Sequence, residues 1–327
     1  MPEIIIGIHG LGNKPPPKTL KAWWKLSLRE GLKQIGAADT FFDFELAYWA
    51  DYMYSTPLNR RIKDADHPLY IEDPYFPAPQ GVEPEKPSEL RQKILDYVDG
   101  QLNKLFLNEN LSINYQSITD FIIHHFFRDL EAYYNDYCVK KTLQACEAKV
   151  AIGLHLADVL RKHREKKIML IAHSMGSIIA YDVLTAYAPE VDIDTLVTIG
   201  SPLGLPVIQR KLMVDNKSGD ALNKMLRTPE NILQNWYNLS DLKDKISIDY
   251  RIGDDFAANS RQVRPADKIV VNNYKFRALQ NPHKSFGYLR TLEMATIVRD
   301  FLETGRSRPF GGLRKFIAMI IKRGSGD

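Results

Sequence analysis

The chain has 327 residues, of which 44% are hydrophobic and 26% charged, an ordinary globular composition that excludes wholesale disorder. Its net charge is +4, but residues 306–327 alone set six cations against Asp327, a local +5. The rest of the chain is therefore close to −1 and carries no basic footprint for nucleic acid.

No apolar run approaches the roughly 18 residues that a membrane span requires; the longest, at 168–172 and 316–321, are five or six residues. The first residues do not read as a signal peptide. Glu3 stands where a basic segment belongs, and Gly7, His9 and Gly10 interrupt the apolar run. Cys138 and Cys146 are the only cysteines, too few for a disulfide framework, and the expected setting is cytoplasmic.

In chain order, residues 4–9 read as a short buried strand ending in glycines, and 20–35 as a helix. A second strand is expected at 43–49, a long helix at 141–166 and another buried strand at 167–172. A helix at 177–188 follows directly. Further strands are expected at 195–199, 235–239 and 269–273, then a last helix at 285–303 with a broad apolar face. This alternation points to an α/β fold, a mostly parallel sheet with helices on both faces.

About 90 residues separate the second strand from the helix near Lys141, too many for a plain crossover. Residues 55–140 are read as a cap-like insertion. Its first part holds Pro57, Pro68, Pro74, Pro77, Pro79, Pro84 and Pro87; its second is rich in Phe and Tyr. The insertion is either extra core or a lid. The division is residues 1–305 as one domain carrying this insertion, and 306–327 as a basic amphipathic tail.

The sharpest chemical signal is Ala172-His173-Ser174-Met175-Gly176, between a strand and a helix. This is the nucleophile elbow Gly-x-Ser-x-Gly with alanine in its first position. Strand and helix pack closely there, so the residues flanking the serine must be small. Ser174 would present its hydroxyl above the sheet, with the Met175 N–H and the helix dipole facing developing negative charge. A second signal is Ile8-His9-Gly10-Leu11-Gly12 after the first strand. It offers the Leu11 N–H as a further donor, with glycines allowing close approach. Gly7, Gly10 and Gly12 do not fit the dinucleotide or P-loop fingerprints, and His9 reads as structural.

These motifs resemble the α/β-hydrolase superfamily. Ala-His-Ser-Met-Gly is similar to the elbow of bacterial lipases and of deacylases acting on GPI-anchor inositol, and Thr195–Gly204 resembles the strand and loop after their nucleophile helix. The two leading antiparallel strands of larger members look absent. The resemblance implies the order serine, acid, histidine. Two aspartates follow the strand at 235–239, Asp241 and Asp244. Asp244-Lys245-Ile246 fits a frame that often reads Asp-Pro-Val, with lysine replacing proline, and Asp241 is the alternative. Either could instead be a turn residue; Asp254 and Asp255 lie further along. His283, in Asn281-Pro282-His283-Lys284, is the only histidine after His173 and occupies the expected late position.

The resemblance thus implies a serine hydrolase of carboxylic esters, lipase-, esterase- or phospholipase-like. Its catalytic residues would be Ser174, Asp244 and His283, with Leu11 and Met175 as the oxyanion hole and no metal or organic cofactor. Amidase, peptidase, thioesterase or acyltransferase chemistry would use the same three residues, and a non-catalytic binding protein is a third reading. His124, His125, His155 and His163 form no zinc pattern, and neither cysteine follows a strand–turn signal. The expected partner is an ester or lipid-like small molecule. In residues 311–323 apolar and basic positions combine in the manner of an interfacial anchor, which suggests peripheral membrane contact. Deleting residues 306–327 is expected to abolish binding to anionic vesicles in a flotation assay while leaving hydrolysis of a soluble ester unchanged.

Overall fold

The computed structural model describes residues 1–78, 130–131, 133–134, 147–216, 225–247, 249–277 and 279–304. The first strand, β1 (Glu3–Ile8), leads through α1 (Pro17–Gln34) to β2 (Phe44–Ala47) and the single turn α2 (Ala50–Met53). Next come α3 (Ala148–Lys162), β3 (Lys167–His173), α4 (Met175–Asp182), β4 (Ile193–Ile199) and α5 (Pro206–Asn216). The remaining strands are β5 (Leu226–Arg227), β6 (Ile232–Asp241), β7 (Phe256–Ala257), β8 (Pro265–Val270), β9 (Lys275–Phe276) and β10 (Leu279–Gln280). Two helices, α6 (Ser285–Leu289) and α7 (Leu292–Thr304), end the described chain.

Among the described residues, β2-β1-β3-β4-β6-β8 form one sheet in that order, and every adjacent pair is parallel. A parallel sheet is covered on both faces, so its strands read as continuous apolar runs. Every residue of β3 after Lys167 is buried. The pleat then sorts its side chains. Ile168, Leu170 and Ala172 join Ile4, Ile6 and Ile8 against α3 and α4, through Ile152, Leu156, Ile178 and Ile179. Met169 and Ile171 turn the other way with Ile5, Val197 and Ile199, onto Trp24 and Leu28 of α1 and Phe286, Val298 and Phe301 of α6 and α7. The chain passes from β1 outward to β2 and returns to β3 on the opposite side of β1. That reversal opens a crevice beyond the carboxyl ends of β1 and β3, where doubly wound sheets place their sites.

The expected alternation is present, with five shifts of detail. The helix expected at 285–303 is two helices, because Thr291 Oγ1 accepts the Met294 N–H at 3.2 Å and starts a new helix. Arg290, fully buried at the break, donates to the Asn273 side chain, to Glu30 and to the Phe76 carbonyl. The strand expected at 269–273 ends at Val270, since Asn272 leaves the ladder to bond Asp241. Helix α4 begins at Met175 and relaxes into a π-turn at Val183–Tyr187, and α5 lies where the sequence pattern points to no element. Within the helix expected at 141–166, the described residues are helical from 148 to 162, and 141–146 lie outside the described residues.

Most of the expected insertion and the whole 306–327 tail lie outside the described residues, as do Cys138, Cys146, His124 and His125. Within the insertion, Leu130 and Tyr133 are buried in the α3-side core. Its proline-rich first part is tied to the opposite side: Tyr75 donates to Glu30 at 2.8 Å and Tyr274 to the Pro74 carbonyl at 2.6 Å. No described helix is long and apolar enough to cross a membrane.

Helix α1 lies very close to β1 at Gly7, where a Cβ would sit 2.8 Å from the Trp24 ring. Gly7→Ala should therefore cost about 1–3 kcal/mol through overpacking, measured by urea denaturation.

Candidate active site

Strand β3 ends at His173, and Ser174 then takes φ 53° and ψ −127° before α4 begins at Met175. A serine in this region costs about 1–3 kcal/mol and persists only where the surroundings force it. Here they do. The Ser174 N–H donates to the Ile199 carbonyl at 3.0 Å, and its own carbonyl accepts the Ser177 N–H at 2.8 Å and the Ser177 hydroxyl at 2.6 Å. At Gly176 a Cβ would lie 2.8 Å from the Ile8 carbonyl oxygen, so only glycine lets α4 press against β1. Ala172 sits in the ladder between Ile8 and Thr198 with no exposed surface.

The structure brings Ser174, His283 and Asp244 together. His283 Nε2 is 3.0 Å from Ser174 Oγ, and its Nδ1 is 2.9 and 2.8 Å from the two Asp244 carboxylate oxygens. The ring is oriented with Nδ1–H donating to the carboxylate and Nε2 accepting from the serine hydroxyl. Asp244 is fully buried at its side chain while His283 is 21% exposed. Gly200, at φ +53°, permits this approach, since a Cβ there would stand 2.8 Å from Asp244 Oδ2 and 3.2 Å from His283 Nδ1.

Asp241 does not meet the histidine. Its carboxylate accepts the Lys243 N–H at 2.7 Å and the Asn272 N–H at 2.6 Å. Burial nevertheless pushes its carboxyl above the usual range. Through these bonds Asp241 shapes the turn that carries Asp244, whose N–H donates to the Asp241 carbonyl at 2.9 Å. Asp254 lies in a 3₁₀ turn after β6, Ile252–Asp254.

Three consecutive carbonyls hold the histidine loop. Asn272 Nδ2 donates to the Pro282 carbonyl at 2.7 Å and to that of Lys284 at 2.8 Å. His173 Nε2 donates to the His283 carbonyl between them at 2.8 Å. Asn281 Oδ1 accepts the His283 N–H at 3.1 Å, and Asn281 Nδ2 in turn reaches Asp73 at 2.7 Å. Asn272 leaves no room for a side chain at 287, where a Cβ would fall 1.5 Å from its Oδ1. Sequence reasoning assigned no role to His173, Asn272 or Gly200. His173 stood inside the elbow motif, and Asn272 inside an expected strand where an asparagine breaks the apolar pattern.

The loop after β1 closes the other side of Ser174. A Cβ at Gly10 would lie 2.8 Å from Ser174 Cβ. His9 is buried beside it; its Nε2 accepts the Trp49 N–H at 3.0 Å, so the proton is on Nδ1, which donates to the Gly10 carbonyl at 2.8 Å. That bond turns the Gly10–Leu11 peptide, and sets its N–H, on Leu11, opposite to the carbonyl. Lys14 Nζ braces the same loop through the Leu11 and Gly12 carbonyls. Burial lowers both His9 and His173 well below the ordinary histidine range, so both are neutral. Among the described residues no group of three or more His, Cys, Asp or Glu is placed to hold a metal ion.

A parallel sheet with a positive-φ serine after its central strand, and acid and histidine loops meeting at the same edge, defines an α/β-hydrolase arrangement. Residues 95–265, just over half of the chain, match the family described as PGAP1-like alpha/beta domain, and the chain belongs to it, an α/β-hydrolase family of GPI inositol deacylase-like proteins. The matched span includes Ser174, Asp241 and Asp244; Leu11 and His283 lie outside it. No curated protein matches the chain. Among solved structures it is similar to a protein described as a dipeptidyl aminopeptidase IV from Bacteroides ovatus, at 12% identity and a TM-score of 0.24. That likeness covers 48% of this chain and 22% of that one.

Both neutral histidines predict an acid-labile fold. The unfolded chain binds protons at these positions below about pH 6.5, while the folded chain does not. Stability is therefore fully present above that pH and declines as pH falls toward the lowered folded values, by up to about 1.4 kcal/mol per pH unit for each histidine. Denaturant midpoints measured from neutral to mildly acid pH should fall, and His9→Gln should flatten the slope.

Proposed function

We propose that the protein is a serine hydrolase of carboxylic esters that works through an acyl-serine intermediate. The observation that carries this reading is the unbroken line from the Asp244 carboxylate through the His283 ring to Ser174 Oγ, at 2.8 and 3.0 Å. His283 is the ring suited to move protons: it is partly exposed and faces the serine, whereas His9 and His173 are buried and committed to backbone partners.

In this reading His283 Nε2 takes the proton from Ser174 Oγ as that oxygen attacks the ester carbonyl. Asp244 fixes the ring tautomer and stabilises the imidazolium that forms. The negative oxygen of the tetrahedral intermediate is received by the N–H groups of Met175 and Leu11. Two features favour these donors: Met175 opens α4 directly after the serine, and the His9 bond aims the Leu11 peptide. One such donor is typically worth about 3 kcal/mol of barrier. His283 then protonates the leaving alcohol, and water activated by the same nitrogen releases the acid. The strain stored at Ser174 holds Oγ above the sheet with no rearrangement needed during the reaction.

The ester preference follows the lipase-like elbow, and an apolar acyl chain suits the Phe- and Tyr-rich insertion. We further propose a cytoplasmic enzyme that reaches membranes through its basic tail. The test is hydrolysis of p-nitrophenyl esters from acetate to palmitate by the wild type and Ser174→Ala. Ester turnover that falls by on the order of a millionfold in the variant supports the reading, and the chain-length optimum reports the acyl pocket. Turnover of amide or thioester substrates alone would replace the ester assignment, and undiminished turnover in Ser174→Ala would remove Ser174 from the chemistry.

A further inference from the structure

The role of Tyr288, five residues after the histidine, rests on the hydrolase reading above. Both Asp244 oxygens lie within reach of His283 Nδ1, and among the described residues each has one other partner. Oδ1 accepts the Ile246 N–H at 2.9 Å; Oδ2 accepts the Tyr288 hydroxyl at 2.8 Å. The Tyr288 oxygen is itself engaged, accepting the Asp241 N–H at 2.9 Å. With that N–H pointing at its lone pair, the hydroxyl proton is directed to Asp244. Tyr288 is fully buried, and its ring edge flanks Gly200, where a Cβ would lie 3.1 Å away.

We propose that Tyr288 is a positioning residue of the reaction, whose hydroxyl fixes the plane of the Asp244 carboxylate and shares its negative charge, so that the His283 ring is held in line with Ser174. Burial and the neighbouring Asp244 push the phenol well above its usual range, which keeps it a donor at every working pH. A phenylalanine would fill almost the same volume, so volume alone does not explain a hydroxyl bonded on both sides. Without the hydroxyl, a buried carboxylate loses one of its fixed donors and keeps more charge. Its orientation loosens, and the imidazolium beside it becomes more stable. The rate therefore falls, and the acidic limb of the rate profile moves to higher pH, where a purely structural loss would leave that limb in place.

The experiment is the second-order rate of Ser174 labelling by a fluorophosphonate probe, across about pH 5–9, in the full chain and in Tyr288→Phe. The expected result is a plateau about tenfold lower with the acidic limb displaced upward. Wild-type rate, or a slower rate with an unmoved limb, overturns the proposal while leaving the hydrolase reading intact. A wild type that is not labelled at Ser174 overturns both. If Tyr288→Phe does not fold, 3-fluorotyrosine placed at position 288, a stronger donor of the same shape, should move the limb to lower pH; an unmoved limb overturns the proposal.

Discussion

The close approach of α4 to β1 is the constraint on which the site depends. Gly176 has no side chain, so the helix starts within van der Waals reach of the Ile8 and His9 carbonyls, and the chain between β3 and α4 must turn within one residue. Ser174 absorbs that turn at φ 53°. A serine in an ordinary helix cap would direct its hydroxyl back to the backbone of the next turn; this one has no side-chain cap bond and faces His283 instead. The strain is sustained by burial of β3 on both faces, since relaxing the turn would pull Ile168–Ala172 out of register with β1 and β4.

Around that fixed point the other loops are held by backbone bonds more than by ion pairs. The histidine loop is gripped at three successive carbonyls by Asn272 and His173, and Asp244 sits in a turn shaped by Asp241. These partners are buried, so water competes little with their bonds. Two buried histidines serve in this frame, each using one N–H to hold a carbonyl. His9 acts on the loop beside Ser174 and His173 on the loop of His283, so both sides of the serine are set by the same device. The Asp73–Phe76 segment, at the foot of the expected insertion, is bonded to Asn281, Tyr274 and Arg290 and thereby joined to the histidine loop.

Much of this was legible in the sequence, for identifiable reasons. Buried parallel strands are nearly all apolar, so 167–172 and 195–199 stood out, and the elbow announced itself through small residues at 172 and 176. Chain order singled out His283. The local frame favours Asp244 and keeps Asp241 as the alternative, because two aspartates three residues apart in one turn offer similar local signals; the bond of Asp241 to the distant Asn272 is not legible in the sequence. The helix break at Arg290–Thr291 was hidden by an apolar face that continues across it from Leu289 to Met294. His173, Gly200 and Tyr288 drew no role because what they do depends on residues dozens to more than a hundred positions away.

The proposed mechanism requires that Ser174 becomes covalently acylated during turnover. Acid-quenching the enzyme during turnover of an activated ester, followed by intact-mass analysis and peptide mapping, tests it most directly. The expected result is a mass increase of one acyl group, carried on the peptide containing Ser174. Turnover with no adduct at any quench time, or an adduct on another residue, would contradict it.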